Sequence, residues 1–139
     1  MYEYKAKVLR VKDGDTFDCL VDLGFGVHHE VEIRMYGVGA PETRTKDLEE
    51  KKAGLAAKKY LNSLIGRKTV FLQTMKTKTG SKKKSFTRYI AKVYLDGIGR
   101  EIETVNVCLQ MINSGHAKRF TEKDLLEQRK SKRLKKGKK

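Results

Sequence analysis

The stretch DGDTFDCLVDLGFGVHHEVEIRMYGVGAPE, residues 13–42, decides the architecture of this chain. Within it Phe17, Cys19, Val21 and Leu23 alternate with Asp18, Leu20 and Asp22, a two-residue period that gives a strand over Thr16–Leu23 one apolar face. Gly24-Phe25-Gly26 reverses the chain into a further strand, Val27–Tyr36, where His29, Val31, Ile33 and Met35 share one face and Glu30, Glu32 and Arg34 the other. Upstream, Tyr4–Val11 also suits a strand, and Asp13-Gly14 supplies the turn between it and Thr16. Three antiparallel strands are expected to open the fold.

Beyond Pro41 the period becomes helical. Asp47 with Glu50 has the form of a capping box, and Ala53, Ala57, Tyr60, Leu61 and Leu64 recur on one helical face until Gly66. Thr69–Thr74 and Arg88–Leu95 return to strand character, separated by the solvated, lysine-rich Lys76–Lys84 segment. Val105, Cys108, Leu109 and Ile112 suit a short helix closed by Gly115, and Thr121 with Asp124 can cap a last one carrying Leu125 and Leu126. The expected class is α+β, mainly β: a five-stranded OB-fold barrel with about three packed helices.

A chain of 139 residues with 38% hydrophobic content supports one modest core and not two. The expected organisation is a single domain over residues 1–127 and a basic tail over 128–139. That tail holds eight Lys or Arg and no acid, so of the net +15 the body keeps +7. A field of this sign attracts polyanions through counterion release, which makes DNA, and RNA beside it, the leading partner. Membrane fits poorly, since the sequence has neither a spanning apolar stretch nor a basic helix with an aromatic face. Met1–Val11 lacks the continuous apolar core of a secretory signal, giving an expectation of a cytoplasmic protein. Cys19 and Cys108 lie in apolar-patterned segments without metal-ligand spacing and read as reduced core thiols. His28 and His29, adjacent on a strand, point to opposite faces and make a poor metal pair.

Four remote residues form a chemically coherent set: the carboxylates of Asp15 and Glu42 and the guanidiniums of Arg34 and Arg88. A phosphodiester is anionic and repels hydroxide. Its hydrolysis needs positive charge on the equatorial oxygens and a water held in line. Guanidinium forks match phosphate oxygens in a way that lysine cannot. Glu42 follows Pro41, whose ring stiffens the turn and suits a water-orienting group. The plain alternative for Arg34 is a surface pairing with Glu30 or Glu32.

The order and spacing of Asp13-Gly14-Asp15-Thr16, Arg34, Gly37–Glu42, Arg88 opening the run Tyr-Ile-Ala-Lys-Val-Tyr-Leu-Asp-Gly, and Thr104–Ala117 resemble the thermonuclease (staphylococcal nuclease-like) family. The resemblance extends from about Lys7 to about Lys118. It implies that Asp15 is a calcium ligand, helped by the Ala40 carbonyl, that Glu42 handles the attacking water, and that Arg34 and Arg88 grip the phosphate. It further implies calcium as the preferred ion and product ends carrying a 3′-phosphate. Two positions depart from the pattern. Gly39 stands where the family usually has its second metal-binding aspartate, which predicts weakened cation affinity. Ser85-Phe86-Thr87-Arg88 replaces the common Lys-Tyr-Gly-Arg, leaving Phe86 as a face for sugar or base without a hydroxyl.

Lys82, Lys83 and Lys84, with the tail, read as handles on the phosphate backbone; neither has spacing that reads base sequence. The expected function is a divalent-metal-dependent endonuclease of low sequence specificity, acting as a monomer on DNA and RNA. The alternative is a nucleic-acid-binding module whose metal site Gly39 has disabled.

Overall fold

In a computed structural model of the protein the described residues are 2–75, 88–95 and 105–120, together with 123, 124, 127 and 130. Strands β1 (Glu3–Asp13), β2 (Thr16–Asp22) and β3 (His28–Met35) form the expected antiparallel opening, with Asp13 paired to Thr16 and Thr16 to Arg34. A two-residue strand β4 (Val38–Gly39) precedes helix α1 (Leu48–Ile65). Then come β5 (Thr69–Thr74), β6 (Arg88–Tyr94), helix α2 (Val107–Asn113) and a two-residue β7 (Lys118–Arg119). The large strands close a barrel in the order β1-β2-β3-β6-β5. The barrel is mixed: β3 and β6 run parallel and every other neighbouring pair antiparallel. With helices α1 and α2 as the named helical elements among the described residues, the architecture is mainly β within the α+β class.

Alternation builds the core. Phe17, Cys19 and Val21 of β2 and Val31, Ile33 and Met35 of β3 face inward, against Ala6, Val8 and Val11 of β1, Val70 and Leu72 of β5, and Ala91 and Val93 of β6. Leu23 departs from the expected inward row: β2 ends at Asp22, and Leu23 enters the hairpin tip with its side chain exposed beside Phe25 and Val27. Both cysteines are free core thiols. Burial pushes Cys19 up to about 12 and Cys108 up to about 11.

Helix α1 begins where its cap dictates. Asp47 accepts from the Glu49 amide at 3.0 Å and the Glu50 amide at 3.4 Å, while the Glu50 carboxylate is taken by the Thr45 hydroxyl at 3.1 Å instead of completing a capping box. Its buried residues are Gly54, Ala57, Leu61 and Ile65, with Tyr60 and Leu64 partly buried against the core; of the expected face only Ala53 is exposed. Gly54 lies inward because the helix and the loop after β4 meet backbone to backbone there. Gly66 ends the helix as expected, donating to the Asn62 carbonyl at 2.8 Å, but the left-handed residue is Arg67, at φ 56°.

Helix α2 starts later than its apolar pattern suggests. Asn106 caps it by accepting from the Leu109 amide at 3.2 Å; Val107, Cys108 and Met111 are buried, and Val105 and Leu109 are exposed. The helix expected after Thr121 falls largely outside the described residues. Among those described, no helix is long and apolar enough to cross a membrane.

Candidate functional site

The turn between β1 and β2 and the end of β3 meet at one rim of the barrel. The Met35 amide donates to the Asp15 carbonyl at 2.8 Å, so the Arg34 end of β3 and the Asp13–Thr16 turn are fastened together by backbone. Gly14 sits deep in this junction, where an added Cβ would lie 2.6 Å from the Ala57 Cβ and 2.8 Å from the Ala40 Cβ. Only glycine lets the turn, helix α1 and the loop after β4 approach this closely.

Asp15 is buried and fully engaged. Its Oδ1 accepts from the Thr16 hydroxyl at 2.8 Å, and its Oδ2 accepts from the Ala40 amide at 3.0 Å and pairs with the Arg34 guanidinium. The Arg34 side chain is 22% exposed and that of Asp15 7%. Arg34 therefore pairs with Asp15 and not with Glu30 or Glu32. Those acids are engaged by β1: Arg10 contacts Glu30 at 3.1 Å and Asp18 at 3.0 Å, and Lys12 contacts Glu32 at 3.2 Å and Asp18 at 3.3 Å. The hydrogen bond to Glu32 is the main cause that raises Lys12 above its ordinary value of 10.5.

The loop carrying Glu42 is held on both sides. Ala40 is tied to Asp15, and the Thr43 hydroxyl donates to Asp13 Oδ1 at 2.6 Å. Beneath it, an added Cβ at Gly54 would stand 2.6 Å from the Glu42 carbonyl oxygen and 2.9 Å from that of Pro41. The Glu42 side chain itself is exposed. Arg88 opens β6, its backbone in register with Glu32, while Ile90 is in register with Arg34. Asp15, Arg34 and Ala40 are thus in direct contact, and Glu42 and the Arg88 backbone lie on the adjoining loop and strand. Phe86, Lys82, Lys83 and Lys84 lie outside the described residues.

Sequence patterns gave no notice of Phe120. Its amide donates to the Gly37 carbonyl at 2.9 Å, next to the β4–β7 pairing of Val38 with Arg119 and Gly39 with Lys118. The Arg34 guanidinium carbon lies over its ring, 5.4 Å from the centroid. An added Cβ at Gly39 would meet the same ring at 3.0 Å. A two-residue strand pair leaves no periodic trace, so nothing near Phe120 in the chain announces this contact.

The donor set does not fit a resident calcium ion. Calcium takes about six to eight oxygens. Here the buried Asp15 carboxylate already serves a hydroxyl, an amide and a guanidinium, position 39 offers no side chain, and a phenyl ring flanks it. Among the described residues no group of three His, Cys, Asp or Glu side chains could hold a metal ion.

The family model described as Staphylococcal nuclease homologue matches residues 32–139, a span that includes Arg34, Gly39, Glu42 and Arg88 and begins after Asp15. No curated protein matches the chain.

Proposed function

Because the chain belongs to the Staphylococcal nuclease homologue family, we propose that it is a nuclease hydrolysing phosphodiester bonds of DNA, and of RNA, with little sequence preference. The observation that carries this reading is the partly buried Arg34, packed on Phe120 and held by Asp15 at the rim where the Glu42 loop is fastened. A guanidinium has donors along its whole planar edge. Phe120 packs on Arg34 and Asp15 takes its Nη1, so among the described residues the remaining donors are left for phosphate oxygens and the group is already oriented to receive them.

In this reading Arg34 and Arg88 neutralise the scissile phosphate and Glu42 directs the water. The braces at Ala40 and Thr43 support that role, since they fix the backbone on both sides of Glu42 while its carboxylate stays in solvent. The family generally uses calcium, which when bound supplies Lewis acidity; no step here is assigned to it, given the donor set. We read the closed barrel as an OB-fold on its strand order, and the basic segments Lys82–Lys84 and 128–139 as contacts to the nucleic-acid backbone that raise affinity without selecting sequence.

The full engagement of Asp15 favours a second reading, a nucleic-acid-binding module without turnover. End-labelled single-stranded DNA and RNA of mixed sequence, incubated with the protein across a calcium series and with a chelator, separate the two. Distributed cuts leaving 3′-phosphate ends support the nuclease. Intact strands that are nonetheless retained in salt-sensitive complexes support the binder.

A further inference from the structure

We propose that Phe120 sets the cation demand of this site: its ring fills the place that an acidic ligand at position 39 would need and holds Arg34 against Asp15. This rests on the reading of Asp15 and Arg34 as one site, and not on cleavage itself. A cation supplied by the chain then faces the buried carboxylate where a divalent ion would otherwise be required.

Three observations meet here. The Cβ of any residue larger than glycine at 39 would stand 3.0 Å from Phe120 Cδ2, tighter than ordinary contact by a few tenths of an ångström, and 3.4 Å from its Cβ and Cγ. The backbone that carries the ring is fixed, since the Phe120 amide is bonded to Gly37 at 2.9 Å and the neighbouring residue Arg119 pairs with Val38, so relief requires rotation of the Phe120 side chain itself. The same ring lies 5.4 Å from the Arg34 guanidinium carbon, a cation–π distance, so the side chain that crowds position 39 also packs on the arginine paired with Asp15. Gly39 and Phe120 are therefore one device. The absence of a carboxylate at 39 is matched by a side chain that uses the space, and restoring the carboxylate alone does not restore a metal site.

Calcium binding to the full chain, followed by calorimetry and by terbium luminescence, tests this in the parent, Gly39→Asp, Phe120→Ala and the double variant. The parent and both single variants are expected to show no saturable site, and the double variant one that is at least about tenfold tighter than any of them. Saturable binding by the parent, Gly39→Asp matching the double variant, or silence in all four proteins would each overturn the proposal.

Should the double variant not fold, Gly39→Ala serves as a steric probe. Its loss of denaturation midpoint is expected to shrink in a Phe120→Ala background, and an equal loss in both backgrounds contradicts the coupling. Because these are binding and stability readouts, their outcome is independent of whether the parent cleaves nucleic acid.

Discussion

The Thr43 hydroxyl donates to the Asp13 carboxylate at 2.6 Å, tying the residue after Glu42 to the turn that carries Asp15. Two carboxylates of one turn thus divide the work: Asp15 holds Ala40 and Arg34, and Asp13 holds Thr43. Thr43→Val keeps the shape and removes the bond. The expected result is a fall in kcat of roughly tenfold, about 1.4 kcal/mol, with KM nearly unchanged. Thr43→Ser, which keeps the hydroxyl, should recover most of it; steady-state kinetics on one oligonucleotide decide.

Gly54→Ala pushes a methyl group into the carbonyls of Pro41 and Glu42, 2.9 and 2.6 Å from the added carbon. Helix propensity alone would make this substitution stabilising. Here overpacking wins, and urea denaturation should show a loss of about 1–3 kcal/mol together with reduced activity. A stabilised variant of full activity would mean that the loop does not bear on this glycine.

Arg34→Ala leaves Asp15, whose side chain is 7% exposed, without its cation. A cost of about 3 kcal/mol in unfolding free energy is expected at neutral pH, since removing one member strands a buried charge. Arg34→Lys should recover part of that stability but little phosphate affinity, because an ammonium cannot present a planar fork. Equilibrium unfolding and filter binding on the same preparations separate the two effects.

Alkaline pH should weaken the fold. The ordinary thiol value is 9.0, and burial raises Cys108 to about 11 and Cys19 to about 12 in the folded protein. A raised folded value means that the stabilising contribution is complete below the unfolded value and is lost as pH rises through the folded one. Stability should therefore decline from pH about 9 upward to about 12, and Cys19→Ala should flatten the upper part of that decline. Lys12, raised by its hydrogen bond to Glu32, acts in the same direction at an exposed site. Denaturant midpoints across this pH range provide the check.

Much of the barrel was legible because its strands are half-buried. Phe17, Cys19 and Val21, and Val31, Ile33 and Met35, announce themselves by alternation. The face of α1 follows its periodicity at Ala57, Tyr60, Leu61 and Leu64 and departs from it only at Ala53, since Ala53 and Gly54 are both small and the close approach of the Glu42 loop makes Gly54 the inward one. The parallel pairing of β3 with β6 and the ion pair of Arg34 with Asp15 join segments far apart in the chain, and local pattern carries no record of such partners. The departure at Gly39 was visible, but its cause was not. Phe120 reaches it through strands of two residues, too short for any periodicity.

Nicking of supercoiled plasmid by the parent and by Glu42→Gln, at matched and measured DNA binding, tests the nuclease account most directly. The account predicts that the parent nicks and that Glu42→Gln loses about a hundredfold or more in rate while retaining the DNA, in keeping with removal of a water-directing group. Equal nicking by both proteins, or none by the parent at any calcium concentration, would contradict it.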